Sequence, residues 1–171
     1  MVAKARIERH PIHPMLVPFP IGLWIFSLAA DIIYRLGGNQ IWASVALYSM
    51  AGGIIGALVA ALPGLLDYFS MKRSRTKEIA TWHMLLNVSA LALFIINFAL
   101  RLGMSLEATA PFILSIIGVL FIMVSGWLGG HMVYVHGAGV EKGAPQACEP
   151  LTGTEPRSVR GGSSRDWQPE G

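Results

Sequence analysis

Four apolar runs, each long enough to cross the hydrocarbon layer of a bilayer, leave this chain little choice of fold. They lie at residues 15–36, 42–66, 80–101 and 111–136, and a spanning helix needs about 20 residues. The first begins after Pro14 and ends at the polar and glycine stop Arg35-Leu-Gly-Gly38. The second runs from Trp42 to Leu66 and stops at Asp67. The third follows the basic loop "MKRSRTKE" and closes at Arg101. The fourth opens with Pro111, a residue suited to a first helical position, and fades into "HGAGVEKG". Hydrophobic residues make up 53% of the chain and charged ones 13%, against about 25% charged in soluble domains. The fold expected is therefore all-α, a four-helix transmembrane bundle spanning residues 15–140.

Charge sets the orientation. Lys4, Arg6 and Arg9 precede the first span, and Lys72, Arg73, Arg75 and Lys77 separate the second from the third. The other two loops hold only Arg35 and Arg101. Basic loops stay on the cytoplasmic side, which puts residues 1–14 and the C-terminus there, as an even number of spans requires. A cleavable signal peptide is the rival reading of residues 1–29, because Ser27-Leu-Ala29 resembles a cleavage site. The apolar run is longer than such a peptide needs, and HPxHP is foreign to one. Residues 141–171 are rich in Gly, Pro, Ser and charge and lack an apolar period, the composition of a disordered cytoplasmic tail. A net charge of +3, spread over loops, provides no dense basic face for nucleic acid. The single Cys148 excludes an internal disulfide or a cysteine-based metal site.

Helices in lipid approach closely through small residues. Gly52, Gly56, Ala60 and Gly64 form one such stripe on the second span, with Gly53, Ala57 and Ala61 beside it. The fourth span offers Ser115, Gly118, Gly126, Gly129 and Gly130. Packing within one bundle is the simpler use of these stripes, a dimer face the other. The last three glycines also leave room for a flat ligand beside His131. Pro63 is expected to kink the second span. Asp31 sits near the outer end with Asn97 and Arg101, and an ion pair of Asp31 with Arg101, or with Arg35 one turn on, is expected to be structural.

The histidines carry the chemistry. His10 and His13 stand in "HPIHPMLVPFPIGLW" at the cytoplasmic start of the first span. His83 lies about 8 Å into the third at 1.5 Å per residue. His131 reaches a similar depth in the descending fourth span, five residues before His136. Each alone reads as an interfacial side chain. Together they place all five imidazoles in one half of the membrane, where an ionisable group is a functional candidate. Neutral imidazole suits iron, copper and zinc, and helix bundles build cofactor sites from facing helices. His83 and His131 are the expected axial pair of a b-type haem, or the ligands of another metal ion, with His13 as substitute. Asn87, one turn from His83, or Asp67 would orient a ring. Covalent haem attachment is excluded by the lack of CxxCH. Hydrolysis fits less well, since neither a nucleophile-elbow serine nor HExxH is present.

"HPIHPMLVPFPIGLW…D" at 10–31, "PGLLDYF" at 63–69, "WHMLLN" at 82–87 and "GWLGGHMVYVHGAGV" at 126–140 resemble the bacterial membrane family known as domain of unknown function 2231. The resemblance covers roughly residues 10–140. It implies a four-span domain in the bacterial inner membrane, with His10, His13, Asp31, Asp67, His83, His131 and His136 at motif positions. Some relatives carry a Rieske-type iron–sulfur domain, which implies contact with electron transfer and a redox partner. The tail here lacks that ligand set. Three functions follow: a haem-binding electron-transfer component, a non-haem metal-binding or transport-linked protein, or a structural or assembly subunit without cofactor. The expected partners are the lipid bilayer, other membrane subunits or a second copy.

Overall fold

The computed structural model describes residues 6–7, 10–103, 105 and 108–139. A two-residue antiparallel pairing of β1 (Arg6–Ile7) with β2 (His10–Pro11) leads into the helices α1 (Ile12–Leu16), α2 (Pro18–Gly37), α3 (Gln40–Ser70), α4 (Arg75–Gly103) and α5 (Thr109–Tyr134). The first span is thus two helices, interrupted at Val17 because Pro18 and Pro20 bring no amide hydrogen to the first turns of α2. Four spans are long and apolar enough to cross a membrane: Ile12–Gly37, Gln40–Ser70, Arg75–Gly103 and Thr109–Tyr134.

The turns are written in the sequence. Gly38 takes φ 70° and donates its amide to the Tyr34 carbonyl at 2.7 Å, a left-handed end that favours glycine. Asn39 then caps α3 by accepting from the Ile41 amide at 3.0 Å. Two corrections concern the lower ends. The α3 helix continues through Pro63 and Asp67 to Ser70, and α4 begins at Arg75, five residues before the apolar run. Neither end needs apolar residues, because hydrogen bonds suffice once a helix leaves the hydrocarbon. Ser74 Oγ accepts from the Lys77 amide at 3.3 Å, and Ser70 Oγ donates to the Asp67 carbonyl at 2.7 Å. The expected tail, residues 141–171 with Cys148, lies outside the described residues, as does the side chain of His10.

The helices run up and down, α2 packed on α3 and α4 on α5 as two hairpins. The small-residue stripes are spent inside the bundle. Gly52 faces Leu23, Gly56 faces Pro20 and Gly64 faces His13, while the neighbouring Gly53 lies against the indole of Trp24. At the centre Trp24 and Phe94 stack with centroids 4.2 Å apart and planes 10° from parallel. Gly118 backs the Phe94 ring from α5, and Met50, Ala90, Val119 and Ile122 close the core around the stack. Outside, large apolar side chains such as Ile55, Leu58, Leu62 and Leu66 are exposed along α3. Such a surface suits acyl chains and not water. Trp82, Trp127, Tyr134 and Phe69 are exposed near the basic end, the level at which aromatic side chains anchor a membrane protein.

The glycines make a testable contrast. A Cβ on residue 118 would meet Phe94 at 2.8 Å, whereas one on residue 126 meets nothing within 4 Å. Gly118→Ala should lower stability by about 1–3 kcal/mol, and Gly126→Ala should leave it nearly unchanged. Thermal unfolding of both variants in detergent measures the difference.

Candidate functional site

Polar side chains inside the bundle collect at its two ends, separated by the Trp24–Phe94 stack. At the basic end, His13 lies over Gly64, where any side chain would collide with its ring. Its Nδ1 is 2.8 Å from the Ala60 carbonyl. A carbonyl only accepts, so Nδ1 carries the proton and Nε2 the lone pair. On α4, His83 repeats the arrangement. Its Nδ1 donates to the Ser125 carbonyl at 2.8 Å, and the side-chain oxygen of Ser125 is 2.9 Å from the same nitrogen. Gly129 makes room for the ring, with a would-be Cβ 3.2 Å from its Cε1.

Asn87 closes the remaining edge of His83. Its Nδ2 lies 2.5 Å from Ser125 Oγ, 2.8 Å from the His83 carbonyl and 3.2 Å from His83 Nε2. Two hydrogens serve three acceptors, and the imidazole nitrogen is the farthest. Asn87 thus covers the one lone pair that His83 has for a metal. The His13 and His83 rings approach edge to face, centroids 6.4 Å apart.

The four histidines with described side chains fall into two pairs. His131 pairs with His136, centroids 5.2 Å apart, and His136 is exposed. The reason is rotation about α5. Gly129 is the residue that meets His83, and a position two residues later is turned about 200° away at about 100° per residue. The ring that His83 meets is thus that of His13, and the expected partner His131 meets His136. Gly126 and Gly130, expected to leave space beside His131, have nothing within 4 Å. Among the described residues, no three His, Cys, Asp or Glu side chains converge as a metal site would require. Asp67 lies one turn beyond Gly64 on α3. Near it Tyr68 hydrogen-bonds Thr81 at 3.0 Å, with Lys77 Nζ 5.1 Å from the Tyr68 ring centroid.

At the opposite end, Asp31 and Arg101 form a two-pronged ion pair at 2.7 and 2.5 Å. Arg101 also donates to Asn97 Oδ1 at 3.0 Å and to Ser115 Oγ at 3.2 Å. Asn97 in turn donates to the Pro111 carbonyl at 2.9 Å and to Ser115 at 2.8 Å. Three helices thus share one network, and its members are buried or nearly so. Arg35, the alternative partner of Asp31, turns away to the Ala108 carbonyl at 2.6 Å and stacks on Phe112. Ser125 was the residue that sequence reasoning missed. A lone serine in an apolar helix gives no signal until its partner is known.

These features define a multi-pass helical membrane protein with a polar network at each end of its interior. The chain belongs to the family described as predicted membrane protein (DUF2231), whose model matches residues 9–142. No curated protein and no solved structure matches the chain.

The ion pair generates a double-mutant test. Asp31→Leu strands a buried guanidinium and should cost about 3–5 kcal/mol. Replacing both, Asp31→Leu with Arg101→Met, should recover most of that loss. Unfolding midpoints of the two single variants and the double variant give the coupling energy.

Proposed function

We propose that the protein is a structural or assembly subunit of a membrane complex, with its half-buried histidines working as hydrogen-bond donors between helices. One observation carries this reading: His13 and His83 each donate Nδ1–H to a backbone carbonyl of another helix, at 2.8 Å in both cases. Such a donor fixes ring orientation and satisfies the imidazole in a medium without water. With Asn87 over Nε2 of His83, ligation by that ring would first require Asn87 to leave. The placement of His131 with His136 weighs against a b-type haem held between His83 and His131, and so against electron transfer through that haem.

A second reading is favoured by His13. With Nδ1–H given to Ala60, its Nε2 keeps a lone pair, and the His83 ring stands 6.4 Å away between centroids. Two imidazoles at that separation suit a non-haem metal ion or a transported proton or cation shared between them. A tetrahedral ion takes four ligands, so the pair would need others.

Spectroscopy and elemental analysis of the full chain decide between the readings. Produced with haem precursor and metals in supply and purified in mild detergent, it should show no Soret band and less than stoichiometric metal. His83→Ala should lower its stability by about 1 kcal/mol, the usual worth of a cross-helix hydrogen bond in lipid. Cross-linking in its native membranes should capture a stoichiometric membrane partner. A haem or metal lost on His83→Ala, His13→Ala or His131→Ala would overturn the proposal, as would a chain that is captured alone.

A further inference from the structure

The end of the bundle that holds Arg35 and Arg101 contains an open cleft of about 80 Å³, and neither histidine pair belongs to it. Its floor is the Asp31–Arg101 pair and its walls include Tyr34, Arg35, Ser44 and Phe112. The carboxylate on the floor is fully engaged, since Asp31 receives both prongs of Arg101. Arg101 has five N–H groups. Four are directed to Asp31, Asn97 and Ser115, which leaves one on Nη1. Arg35 has more to offer. One bond to the Ala108 carbonyl and a stack on Phe112, 4.5 Å from the ring centroid, hold its guanidinium in place. Its other N–H groups remain for a ligand.

We propose that this cleft binds a phosphate-bearing anion, with Arg35 as the principal contact. A guanidinium fork matches the spacing of phosphate oxygens, and the stack on Phe112 removes much of the entropy that a free arginine would lose on binding. The hydroxyl of Tyr34 adds a donor, whereas among the described residues the lining supplies no carboxylate beyond the already paired Asp31. The walls also contain Ala43 and Leu47, so the site is polar at its mouth and apolar beside the bundle. That profile fits the headgroup of an anionic lipid whose chains continue along α3. Inorganic phosphate presents the same oxygens, and the experiment separates the two sources.

The full chain in detergent is titrated with phosphatidylglycerol, with phosphatidylcholine of the same acyl chains, and with inorganic phosphate, while its unfolding midpoint is followed. Phosphatidylglycerol should raise the midpoint by mass action, with phosphatidylcholine well behind. Arg35→Gln, a change at an exposed side chain, should weaken the phosphatidylglycerol effect about tenfold in half-saturating concentration. A Lys72→Gln, Arg73→Gln variant at the other end should retain it. An Arg35-dependent shift with inorganic phosphate alone would support the site and identify the free ion as the source. No shift with either anion, a shift that survives Arg35→Gln, or equal shifts with the two lipids would overturn the proposal.

Discussion

Hydrocarbon offers no partner to a polar group, and the interior of this bundle is arranged around that constraint. His13 is tied to the Ala60 carbonyl, Ser27 to that of Ala46, His83 to that of Ser125 and Asn97 to that of Pro111. Each tie joins helices of the same half of the molecule: α1 and α2 to α3, or α4 to α5. The halves are therefore firm hairpins, in keeping with the high cost of an unpaired polar group in lipid. Between the halves, the Asp31–Arg101 ion pair is the strongest polar tie among the described residues. The Tyr68–Thr81 hydrogen bond, the stack of Arg35 on Phe112 and the stacked pair at the centre add to it.

That stack explains the glycines. Two aromatic rings lying flat in the middle of a four-helix bundle need backbones without side chains behind them, and Gly53 and Gly118 supply these on opposite sides. Association in lipid gains from close contact and not from expulsion of water, so ring faces pressed on bare backbone are an efficient use of the available area. The arrangement has a cost. Trp24 is 3% exposed, and its Nε1–H has no hydrogen-bond partner among the described residues. A buried donor of this kind is uncommon, and here the indole edge is set against Gly53, where a partner would have no room. The stack also keeps the two polar networks apart, as a dry layer between the histidine end and the ion-pair end.

How much of this was legible in the sequence depends on the coordinate in question. Position along a helix axis was readable, because length and hydropathy count residues at a fixed rise. The four spans and the opposed ends of Asp31 and His83 follow from that count. Rotation about the axis was not readable. An offset of two residues turns a side chain to the other face of its helix, which is why Gly129 and not His131 meets His83. Asp31 and Arg101 escaped this ambiguity, since few charges of opposite sign share their end and hydrocarbon drives them together. Ser125 had no such mark. Helix ends beyond the apolar runs were also hidden, because Arg75 to Ala80 and Asp67 to Ser70 are polar or mixed and are held by caps and side-chain bonds.

The two ends differ in the kind of valence that they leave open. At the histidine end the donors are consumed by backbone carbonyls, and what remains is the lone pair on Nε2 of each ring, with Asn87 competing for one of them. A lone pair of this kind suits an electrophile, a proton or a metal ion. At the opposite end the acceptors are consumed: both Asp31 oxygens by Arg101, and Asn97 Oδ1 by Arg101 Nε. What remains there is N–H and O–H, pointing into a cleft. That end selects for oxygen-rich anions. Of the two, the cleft needs no existing bond to break before a ligand enters, whereas ligation by His83 must first displace Asn87. The proposed anion would thus enter at the arginine end, and the carbonyl-bound imidazoles of the histidine end serve to hold helices together.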